Sequence, residues 1–253
     1  MAEVLKLSRR QSLRLFTGLV PTITFPIHAR ILTFHEVPTP ETITRPVINA
    51  IYADFFPTDL DTVTLYVNQQ IPHPQPQPFL VVTLDDGRLS QYNNAQRAAD
   101  IVRAETSYEL PLEFFVITRF EGIKKPLEEI PDNTPSYKNT RNVSHMTKGD
   151  LVSLAKRFNI RNHTHDHGIL PRLSIADRNA QVEDGEAQVQ KIYDLAGITK
   201  ASRPQQPGFC YPYGEYAGQI DYIGNRYAFA LSTRKTEFHY PWESPYLGRK
   251  PVT

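Results

Sequence analysis

Three short stretches carry residue types that can do chemistry together. Thr83-Leu84-Asp85-Asp86-Gly87 places two adjacent carboxylates and a glycine at the end of an apolar run that starts at Phe79. His163-Thr164-His165-Asp166-His167 packs three imidazoles into five residues, and Phe209-Cys210-Tyr211-Pro212-Tyr213-Gly214 sets two tyrosines around a proline before a glycine. Neutral imidazole suits divalent transition metals, and an added carboxylate completes a three-ligand site that leaves room for water and substrate. In a turn or first helical turn, His163 and His167 are four apart and fall on one side, within reach of one cation. Asp-Gly alone equally suits a hairpin turn, and a histidine tract alone suits a solvated surface. Two imidazoles and a carboxylate arriving from separate strand ends are what make the constellation. In the third stretch, glycine lets the backbone approach a ligand and Tyr211 and Tyr213 offer flat faces to a sugar ring; a proline turn packed on the core is the plainer alternative.

Such residues need strand ends to hold them. Phe79 to Leu84 reads as a strand buried on both faces, and in parallel β/α sheets and barrels the carboxyl ends of the strands share one mouth. Arg30 to Val37 reads as a first strand that delivers His35 and Glu36 and is stopped by Pro38. Pro38 to Pro78 reads as loop-rich, with one helix from Asp59 to Gln70. A helix over Gln91–Ala104 and a strand over Leu112–Ile117 follow, then a surface insertion from Glu121 to His145. Thr147-Lys148-Gly149-Asp150 has the shape of a capping box before the amphipathic run Leu151, Leu154, Ala155, Phe158. Ser174-x-x-Asp177 opens a long helix that ends near Gly197, and strands are expected at Gly208 and over Tyr227–Ser232. Strand alternating with helix is the pattern of a parallel β/α architecture.

The whole chain has 253 residues, 40% hydrophobic and 22% charged, with a net charge of +1. That is an ordinary globular composition, and the absence of a basic stripe argues against a nucleic-acid partner. A single cysteine, Cys210, forbids an internal disulfide; it is expected to be buried and inert. At the N-terminus, Ser8-Arg9-Arg10-Gln11-Ser12-Leu13-Arg14 precedes an apolar run from Leu15 to Ile27 and a small residue, Ala29. This resembles a twin-arginine export signal over residues 1–29, with the functional domain over 30–253 and the protein exported. The run is too short and too proline-interrupted for a stable membrane span.

Taken together, the three chemical stretches resemble the NodB-homology polysaccharide deacetylases, a carbohydrate esterase family. Thr83-Leu84-Asp85-Asp86-Gly87 is similar to the first motif, Thr-Phe-Asp-Asp-Gly, with Leu84 for Phe. His163 to His167 matches the second, His-Ser/Thr-x-x-His, and Phe209 to Gly214 resembles the third, with Cys210 where many members carry arginine. Cys210, the opening Leu32-Thr33-Phe34-His35-Glu36 and the closing Arg249-x-Pro-Val are similar to the branch that deacetylates poly-N-acetylglucosamine of biofilms. The resemblance implies an α/β fold, a distorted (β/α) barrel of about seven strands. It further implies one divalent transition metal, Zn or else Ni, Co or Fe, held by Asp86, His163 and His167. Asp85 would be the general base and the backbone N–H of Tyr213 an oxyanion donor. Tyr211, Pro212 and Gly214 would form the substrate-facing turn. Many members protonate the leaving amine from a histidine in a late Leu-x-His motif, but Thr233 stands there, leaving His35, His165 and His239 as candidates. The implied reaction is removal of N-acetyl groups from an N-acetylglucosamine-containing polysaccharide; an O-acetyl esterase and a non-catalytic carbohydrate-binding module are the alternatives.

Overall fold

Alternation of side chains along strands divides the molecule into an inside and an outside. The computed structural model describes residues 5–7, 27–67, 77–120, 144–216, 220–232, 246–248 and 250–251. The arginine pair of the export-type segment, residues 121–143 of the expected insertion, Thr233, His239 and Arg249 lie outside the described residues. In chain order the elements are β1 (Leu5–Leu7), β2 (Ile27–Phe34), α1 (Glu41–Tyr52), β3 (Phe56–Pro57), α2 (Leu60–Val67), β4 (Phe79–Asp86), α3 (Leu89–Thr106) and β5 (Leu112–Val116). They continue with α4 (Lys148–Ala155), β6 (Asn159–Asn162), α5 (Ile175–Leu195), β7 (Gly208–Cys210), α6 (Ile220–Gly224), β8 (Phe229–Ser232), β9 (Tyr246–Gly248) and β10 (Lys250–Pro251).

Strands β2, β4, β5, β6, β7, β8 and β9 pair in that order and all in parallel. β10 pairs in parallel with β2, at the opposite end of that order from β9, while β1 runs antiparallel on β2. This is the curled sheet of a distorted (β/α) barrel, as the family resemblance implies. Leu80, Val82 and Leu84 of β4 pack outward with Phe114, Val116 and Ile160 against residues of α1, α3, α4 and α5. The alternate residues Phe79 and Val81 pack with Ile31, Phe115, Cys210, Phe229 and Leu231, together with Leu60 and Val63 of α2. That second cluster is the barrel interior, and α2 closes its amino end.

A buried ion network lies beside that plug. Glu113 of β5 accepts from Arg161 of β6 and from the Leu60 N–H, and Arg161 also donates to Asp61 Oδ1 at 2.7 Å. Arg161 and Glu113 are both buried, so each depends on the other for its charge.

Helix starts follow their local chemistry. Thr147 and Asp150 form the reciprocal capping box at α4, and Ser174 Oγ accepts from the Asp177 N–H at α5. Gly197 ends α5 at φ +71°, the left-handed conformation glycine adopts without steric cost. Two expectations need correction. The first strand runs Ile27–Phe34 and stops before His35, which sits in a bend. The loop-rich reading of Pro38–Pro78 overlooks α1, which carries Pro46 inside it. Burial of Ile43, Val47 and Ala50 along one face outweighs the backbone bond that proline removes.

Replacing Glu113 by Ala strands the Arg161 charge in the interior. The loss expected in a urea unfolding titration is about 3 kcal/mol, at the low end for a broken buried pair because Asp61 remains.

Candidate active site

Strand parity decides which side chains reach the mouth. On β4 the inward set is Phe79, Val81, Thr83 and Asp85, so Asp85 stands at the top of the barrel with Thr83 below it bonded to Thr33 at 2.8 Å. His163 follows β6 in register with this face, and Cys210 enters from β7. The Cys210 thiol donates to Asp85 Oδ2 at 3.6 Å, so the buried cysteine lies against the inward carboxylate.

Asp86 would point outward by the same alternation. Instead it adopts φ +77° and Gly87 φ +71°, and the chain turns so that both carboxylates serve one site. Asp86 Oδ1 is buried without a hydrogen-bond partner and lies 3.5 Å from His163 Nε2 and 3.6 Å from His167 Nε2. The two Nε2 atoms are 3.1 Å apart. A tetrahedral ion with bonds of about 2.0–2.1 Å would space its donors by roughly 3.3 Å, so the three atoms fit such an ion.

Both imidazoles are oriented from behind. His163 Nδ1 donates to the Cys210 carbonyl at 2.8 Å, which leaves the lone pair of the neutral ring on Nε2. His167 Nδ1 is 2.8 Å from the Tyr213 hydroxyl, the equivalent partner for the second ring. The loop between them is fixed by Asn162: its Oδ1 accepts from the Thr164 N–H, and its Nδ2 donates to Val182 O and Tyr227 Oη, each at 2.8 Å. Thr164 Oγ1 accepts from the His167 N–H at 3.0 Å. Thr164, His167 and Tyr213 all have positive φ, at 69°, 61° and 59°.

The electrostatics match a cation site. Burial opposes the charge on Asp86, but the His163 and His167 imidazoles outweigh it and hold its carboxyl well below the usual range. Burial, reinforced by His163 alongside, drives His167 down to about 3, so that ring is neutral near pH 7. His163 is buried too, yet Cys210 and the carboxylates of Asp86 and Asp85 raise it well above the usual imidazole range.

The expected ligands Asp86, His163 and His167 therefore come together, with Asp85 beside them and His35 Nε2 3.8 Å from Asp85 Oδ2 at the rim. His165 is tied at Nδ1 to Thr118 Oγ1, 2.9 Å away on the turn after β5. The expected tyrosine faces are corrected in part. Cys210 points inward, so Tyr211 must point outward, and it is fully buried against Phe209 and Tyr216, unable to stack on a sugar. Pro212 and Gly214 are buried as well, and Tyr213, 39% exposed, is the aromatic that meets solvent. Two residues at the site escape the sequence reading. Arg88 donates twice to Asp86 Oδ2, and buried His145 donates from Nδ1 to the Asp86 carbonyl at 3.2 Å. For Arg88 the signal is a cation two residues past the carboxylates, whereas nothing local marks His145.

Comparison with known proteins gives the same picture. Residues 73–231 match the family model described as polysaccharide deacetylase. The fold is similar to that of the Streptococcus pyogenes deacetylase PplD in complex with acetate (14% identity, 88% of this chain and 92% of that one, TM-score 0.64). It is also similar to IcaB from Ammonifex degensii (20%, 89% and 91%, 0.61) and to the BpsB deacetylase domain from Bordetella bronchiseptica (16%, 88% and 95%, 0.60). No curated protein matches the chain.

Gly185 of α5 makes the histidine loop sensitive to a distant change. A Cβ there would fall 2.4 Å from Asn162 Oδ1 and 3.0 Å from the Thr164 carbonyl carbon. Gly185→Ala is expected to lower stability by about 1–3 kcal/mol in thermal unfolding.

Proposed function

The chain belongs to the polysaccharide deacetylase family, and from that premise we propose that it is a metal-dependent hydrolase. Its reaction is removal of N-acetyl groups from an N-acetylglucosamine-containing polysaccharide. The observation that carries this reading is the bare, buried Asp86 Oδ1 facing two imidazole Nε2 atoms, with a second carboxylate, Asp85, next to them. Asp86, His163 and His167 would hold the metal, with zinc the first choice for such a donor set and Ni, Co or Fe the alternatives. A divalent ion bound there supplies Lewis acidity, polarising the acetamido carbonyl and lowering the pKa of water.

The chain's own groups do the rest. Asp85 accepts a proton from the attacking water as its oxygen bonds to the carbonyl carbon. The backbone N–H of Tyr213, in a turn held by Gly214 N–H to Tyr211 O, donates to the oxygen that gains charge; such a donor contributes about 2.7–4 kcal/mol. The C–N bond then breaks, and the nitrogen needs a proton to leave as an amine. Among the described residues His35 is the best-placed donor: it stands at the rim, 40% exposed, with its Nε2 facing Asp85. The products are acetate and a free amino sugar. Tyr213 is the ring available to pack on a sugar at the mouth.

Likeness to the deacetylase PplD and to the BpsB deacetylase domain supports the choice of a deacetylation reaction. We also place the protein outside the cytoplasm, on the twin-arginine pattern of its first residues; among the described residues no helix is long and apolar enough to cross a membrane.

Acetate release from N-acetylglucosamine oligomers by zinc-loaded protein tests the reaction; hydrolysis of acetylated xylan alone would replace it with an esterase, and activity on neither would leave a binding module. Asp86→Ala should lose zinc and turnover together. Asp85→Asn should keep zinc by elemental analysis and lose about 10²–10⁴-fold in turnover; retained turnover would remove Asp85 from the chemistry. His35→Gln should slow amide hydrolysis far more than hydrolysis of an acetyl ester, whose alkoxide leaves more readily. Equal losses on both would assign the acid elsewhere.

A further inference from the structure

Arg88 directly follows the Asp-Asp-Gly turn, and its guanidinium does more than neutralise a carboxylate. Its Nε and Nη2 both donate to Asp86 Oδ2, at 3.1 and 2.9 Å, while Nη1 pairs with Glu36 Oε1. The two oxygens of Asp86 thereby become inequivalent: Oδ2 is occupied by the guanidinium, and Oδ1 is bare before the imidazoles. Rotating the carboxylate to present both oxygens would break two charge-assisted bonds.

A lone arginine beside a metal ligand would also repel the cation. Here Glu36 offsets it, and Glu36 is itself held by Ser90 Oγ at 2.7 Å. Orientation is kept while the repulsion is cancelled. The same bridge joins the end of β2 to the end of β4, and Gln91 adds a second tie by donating to the carbonyls of His35 and Asp85. His35 precedes Glu36 in the chain, so its distance from the ligand set is fixed by the same contact.

Resting on the metal reading of this site, we propose that Arg88 is a positioning residue that confines Asp86 to ligation through Oδ1 alone, with Glu36 as its counter-charge. One-oxygen ligation keeps a coordination position available to water and substrate.

The test is a Co²⁺ titration of the full chain, following both the dissociation constant by chelator competition and the visible absorption of the bound ion. Arg88→Met should raise the dissociation constant about 10- to 100-fold, as loss of a partner behind a ligand typically does. It should also weaken the absorption, because Asp86 can then offer both oxygens and raise the coordination number. Arg88→Lys, a point charge without the fork, should fall between. Glu36→Gln should weaken binding less, with the deficit shrinking at high salt because Glu36 is half-exposed. Thermal unfolding of the metal-free forms separates folding from ligation, and if Arg88→Met does not fold, the Lys and Gln variants decide. Wild-type protein that binds Co²⁺ while the folded Arg88 variants bind within twofold of it, with the same spectrum, would overturn this role alone. Wild-type protein that binds no Co²⁺ would overturn the metal reading and this proposal with it.

Discussion

Side chains on a β-strand alternate between faces, and two adjacent residues cannot both enter a barrel unless the strand stops being a strand. The site depends on how that conflict is resolved at Asp86. Asp85 obeys the alternation and faces inward above Thr83 and Val81. Asp86 breaks it through a left-handed backbone conformation shared with Gly87. A non-glycine residue held there costs on the order of 1–3 kcal/mol and persists only where its surroundings over-determine it. The surroundings do so: Arg88 takes one carboxylate oxygen, His145 takes the carbonyl, and Met146 N–H bonds to Gly87 O at 2.9 Å. Thr164, His167 and Tyr213 repeat the pattern, so four of the non-glycine residues with positive φ surround one point.

The barrel interior explains why such strain is affordable. Its amino end is closed by α2 and the Glu113–Arg161–Asp61 network, its middle is apolar, and its carboxyl end holds Asp85, His163 and Cys210. The layers share strands: β5 carries Glu113 and Phe115, β6 carries Arg161 and leads into His163, and β4 carries Val81 and Asp85, so a shift of one of these strands would cost contacts in two layers. A site built on such ends is held more closely than one built on loops alone.

Parity also explains what was legible in the sequence. The buried run ending in Asp85-Asp86, the histidine tract and the capped helices α4 and α5 were readable because each is local: a hydrophobic run, a spacing of four, a cap three residues ahead of its partner. Helix α1 was hidden by Pro40 and Pro46, whose local penalty is outweighed by burial that only the fold reveals. Composition alone does not fix the register of Tyr211: once Cys210 faces inward, its neighbour must enter the helix layer, and the solvent-facing tyrosine of the turn is Tyr213. Arg88 and His145 act through contacts with Asp86 made across a turn or across 59 residues, beyond what spacing rules reach.

Charge accounting at the mouth reaches the same conclusion as geometry by a different route. Asp85 and Asp86 each bring a negative charge into a buried place, while Glu36 and Arg88 cancel one another. With neutral imidazoles the balance is minus two, which is untenable in a low-dielectric interior without compensation. In the protein alone, Cys210 and the carboxylates of Asp86 and Asp85 raise the His163 pKa despite burial, while burial and His163 drive that of His167 down to about 3. A divalent cation would remove the deficit completely. Had Cys210 been an arginine, as in many relatives of the third motif, the same interior would carry one positive charge more beside Asp85. In this chain the cation next to the carboxylates is Arg88, which is paired with both Asp86 and Glu36. With Cys210 in the arginine's place, no cationic side chain there offsets the two carboxylates.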